Sequence, residues 1–327
     1  MTTYKGINGF AVQSVASDPS PLDEGQVWYN NATYAFKLAG IQVAAWASGG
    51  NMGTARYGLA GAGTQTAGLG FAGYAGGGTL TVTEKYNGTS WSPTGNMGTG
   101  RYSLAGTGTQ TAALAIGGHI FAVSPTTAAT EAFNGSTWSP GGNLNTAREQ
   151  LSAAGTQTAA LAFGGNDPSP GQLANTESYN GSSWTSVSSM NTARSVLMGA
   201  GLQTAALAFG GGNPGNTAAT ESWNGTSWTT VNSLNTARSN SIGEGTQTAA
   251  LIAGGFATAR TGATETWNGT SWATSPATMP TAVQRAGGAG TQAEALSFGG
   301  NTTPGTGITT TQEFTNVAVV TQTITTS

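Results

Sequence analysis

The charged side chains of this 327-residue chain are few, and half of them recur in register. Arginines stand at Arg56, Arg101, Arg148, Arg194, Arg238 and Arg285, and glutamates at Glu84, Glu131, Glu177, Glu221, Glu265 and Glu313. From Glu84 onward each Glu precedes the next Arg by 17 residues four times and by 20 the fifth time, and Glu313 meets Arg56 only if the chain closes on itself. Such a set could form a charged ring that binds an anion. The expectation is instead a repeated structural ion pair, because each Glu opens one kind of strand and each Arg another, within reach of two strand spacings.

Other chemistry is thin. His119 is the one histidine and there is no cysteine, so a thiolate metal site is excluded, and neither a Ser-His-Asp arrangement nor a histidine metal site is expected around His119. Hydrolysis of a glycosidic bond needs paired carboxylates, and in the loops only Asp167 and the connector acids of 18–24 lie outside the repeated set. No catalytic residue, metal or cofactor is expected. Six tryptophans keep step with the charges, Trp46, Trp91, Trp138, Trp184, Trp228 and Trp272. They could stack on sugars, but strict register favours packing between repeated units. Asn-Gly-Thr/Ser triplets, five in all, match a glycosylation pattern and are read as hairpin turns.

These residues are positioned by a repeat. The text Gly-Thr-Gln-Thr-Ala-Ala-Leu-Ala-Ile-Gly-Gly at 108–118 returns in recognisable form with its glutamine at Gln65, Gln110, Gln157, Gln203, Gln247 and Gln292. A period near 45 residues is the mark of a repeat architecture. Each copy divides into four strokes. A strand of small residues such as 103–108 suits a crowded position near an axis. After a Thr-Gln turn comes a strand such as 158–163, apolar on both faces and so covered on both. A double glycine ends it (Gly117-Gly118, Gly164-Gly165, Gly210-Gly211, Gly254-Gly255, Gly299-Gly300, with Ala72-Gly73 in the first copy). A third strand such as 174–179 then turns at Asn-Gly, the dipeptide suited to a type I′ hairpin, into a fourth that opens with the tryptophan.

Six repeats of four antiparallel strands with no helical periodicity predict an all-β fold, a six-bladed β-propeller over 41–316. Only five tryptophan strands follow an Asn-Gly turn, so 41–52 with Trp46 is expected to complete the blade built from 285–316. The rival for that place is the β-rich run at 317–326. Residues 1–40 stand apart as an attachment or oligomerisation segment. Its connector at 18–25 leads to a hairpin of 26–30 and 33–37 joined at Asn31-Ala32. Residues 317–327 form a C-terminal strand, free to pair with that hairpin if 41–52 closes the ring.

Composition sets further bounds. Charged residues make up 7% of the chain and the formal net charge is −3, which offers no field for nucleic acid or acidic membranes. No apolar run approaches the roughly 20 residues of a membrane span. The first ten residues lack the charged and then apolar halves of a signal peptide, so synthesis in a cytoplasm is expected.

The order double Gly, aromatic, Trp, Arg, as in Gly164-Gly165, Tyr179, Trp184 and Arg194, resembles the kelch repeat and covers about 47–316. The resemblance implies a propeller whose second strand carries the double glycine. One departure is the five-residue step from aromatic to Trp (Tyr86 to Trp91, Trp223 to Trp228), shorter than most kelch repeats allow. The near-identity of the repeats resembles kelch-like proteins of tailed bacteriophages, marine ones especially, and Gly25-Gln-Val-Trp-Tyr-Asn30 is similar to text in phage tail-fibre and structural proteins. The copper-radical oxidases that share the kelch fold need cysteine, which this chain lacks.

Where the copies disagree, recognition is expected. Variation gathers after the double glycine, at 77–80, 119–128, 166–174, 212–216, 256–262 and 301–308, while the other turns hardly change. The least generic residues there are His119, Ile120, Phe121, Asp167, Phe256 and Arg260, a candidate ligand face. The expectation is a non-enzymatic virion protein that binds a host-surface glycan or protein, or another virion protein. It could also form a homo-oligomer through 1–40. A cellular carbohydrate-binding or scaffold propeller is the alternative, and a glycoside-active enzyme the third and disfavoured reading.

Overall fold

The computed structural model describes residues 3–5, 11–20, 26–121, 126–169, 171–212, 214–316 and 318–324. Among these every regular element is a strand, and no helix is long and apolar enough to cross a membrane. The chain divides into two compact units, Met1–Ala45 with Thr315–Ser327, and Trp46–Phe314.

The smaller unit is one five-stranded sheet. Its order is Thr3–Lys5, Ala11–Val15, Val27–Asn30, Ala35–Gln42 and Ala318–Thr323, with Ala11–Val15 and Val27–Asn30 parallel and the remaining pairs antiparallel. The hairpin turns over four residues, since Asn30 pairs with Ala35, rather than at Asn31-Ala32 alone. Trp28 is fully buried and donates its indole N–H to Asp18 (3.0 Å), whose carboxylate also accepts from Asn30 (2.6 Å). These bonds hold the Asp18 carboxyl below its usual range. The rest of the connector, from 21 on, lies outside the described residues.

The larger unit holds six four-stranded antiparallel sheets among the described residues, an arrangement consistent with a β-propeller. The second sheet is typical: Ala105–Gly108, Ala113–Ile116, Thr130–Phe133 and Trp138–Pro140, in that order. The second strands are buried along their apolar text, opening only at the first residue in the fourth and sixth sheets, Ala205 and Glu294. In the sixth sheet the first three strands are Gly287–Gly290, Glu294–Phe298 and Thr311–Thr315, and the outer place is taken by Ala45–Ser48. The C-terminal strand pairs with Ala35–Gln42 instead.

Small residues dominate the first strands because these strands crowd one another around a channel of about 270 Å³. A Cβ added at Gly61 would stand 2.0 Å from the carbonyl oxygen of Gly288 in the sixth sheet. At one end of the channel six residues, Gly58, Ser103, Gln150, Val196, Asn240 and Arg285, all adopt φ between 51° and 63°. Their backbones join in a cycle. Each N–H donates to the carbonyl of the corresponding residue one sheet earlier, and that of Gly58 donates to Arg285, at 2.7 to 3.1 Å. A β-branched residue is a poor occupant of this left-handed region. Val196→Asn keeps the bond and relieves the crowding, so a stabilisation of about 1 kcal/mol is expected. A melting temperature that stays level or falls would show the site to be unstrained.

The Asn-Gly turns are not type I′ hairpins. Glycine has positive φ in each, 88° to 94°, but the preceding Asn does not, and the loop spans four residues, with Tyr86 paired to Trp91 in the first sheet. The Asn side chain takes over part of the turn: Oδ1 of Asn87 accepts from the N–H of Thr89 (2.9 Å) and of Ser90 (2.8 Å). Positive φ at both central residues, as type I′ requires, occurs at Gly76-Gly77 (59° and 86°), between Tyr74–Ala75 and Gly78–Thr79.

Candidate functional site

Three sets of repeated polar residues turn out to hold sheet to sheet. Each of the six in-register tryptophans donates its indole N–H to a threonine hydroxyl on the third strand of the sheet before it. Trp138 donates to Thr83 (3.0 Å), Trp184 to Thr130 (3.2 Å) and Trp228 to Thr176 (3.0 Å), and Trp91 of the first sheet donates to Thr311 of the sixth (2.9 Å). The rings pack across the same seam, as Phe71 with Trp138 at 4.9 Å and Phe298 with Trp91 at 4.8 Å. Turn glutamines bind two carbonyls of the preceding sheet: Gln110 reaches Gly68 (3.0 Å) and Tyr86 (2.6 Å), and Gln65 reaches Ala295 (3.2 Å) and Phe314 (2.6 Å). The double glycine does the same from its backbone. Gly118 N–H donates to the carbonyl of Arg148 in the next sheet (2.9 Å), at φ 106°, and a Cβ there would stand 2.8 Å from Cβ of Leu104.

The charged residues form ion pairs, but with other partners than the 17-residue spacing suggests. Each Glu binds the Arg that precedes it, on the connector into its own sheet: Arg56 with Glu84, Arg101 with Glu131 (3.1 Å), Arg148 with Glu177 (3.2 Å), Arg194 with Glu221 (2.9 Å) and Arg238 with Glu265. Both partners of each pair belong to one sheet and the connector into it, whereas the following Arg leads into the next. All five guanidinium groups are 0–1% exposed, so they present no ring to an anion. Burial pulls Arg101 and Arg148 down to about 10 against the opposing pull of Glu131 and Glu177, and both stay charged at neutral pH.

Arg285 and Glu313 fall outside this set. In the sixth repeat Val283 occupies the arginine position and Gln312 the glutamate position, both buried. Gln312 Oε1 accepts from the Thr281 N–H (2.8 Å) and its Nε2 donates to the Thr281 carbonyl (3.1 Å). Arg285 sits two residues further on, in the left-handed cycle at the channel mouth. Glu313 accepts from the Tyr86 hydroxyl, and desolvation together with that bond raises the Tyr86 phenol to about 12.

The loops after the double glycine meet the residues that follow each arginine position. One-residue bridges join Tyr57 to Tyr74, Tyr102 to His119, Glu149 to Asn166, Ser195 to Gly212, Ser239 to Phe256 and Gln284 to Asn301. The six candidate residues fall in three of these loops. His119, Ile120 and Phe121 follow the second sheet's double glycine, and 122–125 of that loop lie outside the described residues. Asp167 is in a small hairpin, where it accepts from the Ser169 N–H (3.4 Å). Phe256 bridges Arg260 within its own loop, and its carbonyl accepts from Asn216 (2.9 Å).

Only the first group lies among further aromatic side chains. Tyr74 is the hub, with ring centroids 5.5 Å from Tyr57, 5.3 Å from Tyr102 and 5.6 Å from Phe121, and Tyr102 is 5.0 Å from His119. His119 Nδ1 stands 3.4 Å from a Glu149 carboxylate oxygen. Desolvation lowers the His119 imidazole and raises the Glu149 carboxyl, the latter opposed by Arg285. Tyr57, Tyr74, Tyr102 and Glu149 were legible as neighbours in the sequence only by aligning the residue after each arginine with the residue after each double glycine. Among the described residues no three His, Asp or Glu side chains gather as a metal-ligand set. No known family model matches this chain, and no curated protein is significantly similar to it.

Proposed function

We propose that the larger unit is a closed six-bladed, kelch-like propeller and that the chain is a non-enzymatic phage virion protein. Its variable loop face binds a host-surface receptor or another virion protein, and the segment 1–40 attaches it to the particle or joins copies of the chain. The observation that carries this reading is the contrast between the two kinds of residue. Arg–Glu pairs, Trp–Thr bonds and turn glutamines repeat from sheet to sheet, while the loops after the double glycine share a backbone bridge and little else. A rigid frame with one varied set of loops is how recognition surfaces are commonly built.

Particles of the phage that carries this gene are the test. Mass spectrometry and immunogold labelling are expected to place the protein on purified virions, at the tail or capsid surface. Phe121→Ala or Phe256→Ala is expected to lower adsorption to host cells without lowering the melting temperature. A protein absent from purified particles would end the virion reading, and loop variants that adsorb like the parent would end the loop-face reading.

A further inference from the structure

The loop cluster on the first two sheets has a property the other loops lack. At the position after the arginine the repeats carry Tyr57, Tyr102, Glu149, Ser195, Ser239 and Gln284, and at the bridged position Tyr74, His119, Asn166, Gly212, Phe256 and Asn301. The same bridge forms in every case. Repeats three, four and six make it with polar residues or glycine, so the fold does not require an aromatic residue at either place. Four of the first four such positions are nonetheless aromatic rings, and a fifth, Phe121, is added beside them. Phe121 is 50% exposed although it touches Tyr74, an arrangement that neither buries the ring nor completes the scaffold.

From this cluster we infer a binding site for an uncharged pyranose unit of a glycan, formed by Tyr57, Tyr74, Tyr102, Phe121, His119 and Glu149. The inference rests on the reading of the loop face as the recognition surface. A pyranose combines an apolar face of C–H groups with a rim of hydroxyls. Aromatic rings offer a flat surface to the first, at little cost in side-chain entropy. Polar groups at the edge orient the second. Here the edge holds the Glu149 carboxylate as acceptor and the His119 imidazole, whose Nδ1 faces that carboxylate at 3.4 Å. The tyrosine hydroxyls can donate or accept.

Two features narrow the occupant. The cluster is five rings wide on two adjacent loops, enough for one or two sugar rings but far from the roughly 800 Å² per side of a stable protein interface. Its formal charges are one carboxylate with Arg285 nearby, so it has no cationic field to select a phosphate, sulfate or sialic acid. The hairpin tip Gly76-Gly77-Gly78, which follows Tyr74, has open space where side chains would stand.

The other repeats supply variants that should keep the fold. Tyr74→Asn installs the residue found at 166 and 301, and Tyr102→Ser the residue found at 195 and 239. The full chain is run by affinity electrophoresis in gels containing dextran, mannan, galactan, xylan or laminarin. At least one polysaccharide should retard the parent. Tyr74→Asn and Phe121→Ala should weaken that binding tenfold or more, with Leu202→Ala, at an exposed turn outside the variable loops, within twofold of the parent. A parent that none of the five retards, or a Tyr74→Asn variant that binds like the parent, would overturn the inference. The broader reading fails separately: if Phe256→Ala but not Tyr74→Asn impairs host adsorption, the loop face stands and this patch falls. Retention by a protein partner with no polysaccharide bound would likewise assign the cluster to protein and overturn the glycan site.

Discussion

Arg194→Met is expected to cost about 3–5 kcal/mol of folding stability, because it strands a charge. The Arg194 Nη1 to Glu221 Oε1 bond is 2.9 Å, both side chains are 0–1% exposed, and Nη2 also donates to the carbonyl of Ala208 (3.2 Å). Methionine fills much of the volume and supplies neither donor. Glu221 would keep the Asn191 N–H (2.7 Å) but no positive charge. For a unit of this size the loss corresponds to a fall in melting temperature on the order of 10 °C. The sixth repeat provides the rescue, since it holds Val283 and Gln312 in the same two places. Arg194→Val combined with Glu221→Gln should therefore recover most of the loss. A single variant that melts like the parent, or a double variant as unstable as the single, would show that the pair is not what stabilises the sheet.

The second large effect is a gain, and it depends on pH. Glu244 lines the channel at the register held elsewhere by Ala62, Thr107, Ala154, Ala200 and Ala289. Its carboxylate lies where a Cβ on Gly288 would meet Oε1 at 2.3 Å, and desolvation pushes its carboxyl up from 4.5 to about 8. A carboxyl whose pKa is raised on folding leaves stability intact below its unfolded value and drains it as pH rises through the folded value. The parent should therefore lose stability between about pH 4.5 and 8 that Glu244→Ala retains. The two proteins should melt together near pH 5, and the variant should be more stable by about 2–4 kcal/mol at pH 9. That is below the full shift because Glu244 is only partly buried where it lines the channel. A difference in melting temperature that is the same at pH 5 and pH 9 would refute the desolvation account.

Much of the fold can be read from the period alone. Small residues in the first strand, apolar residues on both faces of the second, and the paired glycines each impose a local demand that the backbone meets, as at Gly61 and Gly118. The repeated residues were legible as scaffold, but their partners were not. Spacing along the chain favours the arginine 17 or 20 residues after each glutamate, yet the true partner is the one 27 to 30 residues before it, because sheet topology rather than sequence distance brings the pair together. The 20-residue gap before Arg285 was the visible sign that the sixth repeat is different, with Val283 and Gln312 holding the true register. The Asn-Gly turns show a further limit: the dipeptide fits type I′, but four-residue loops let the Asn side chain close the turn instead. The aromatic cluster was half visible, through His119 and Phe121. Its tyrosines belong to other segments and join them only through the cross-loop bridges.

The cycle of six backbone bonds at the channel mouth has a consequence for how such a protein can change length. An open solenoid gains or sheds an end unit at the cost of one interface. A hoop of hydrogen bonds has no end unit. Deleting or duplicating one 45-residue module would oblige all the remaining peptides to find a new circumference at once. On the proposed closed propeller, a change in the number of repeats is therefore expected to be far less tolerated than a change in the loops.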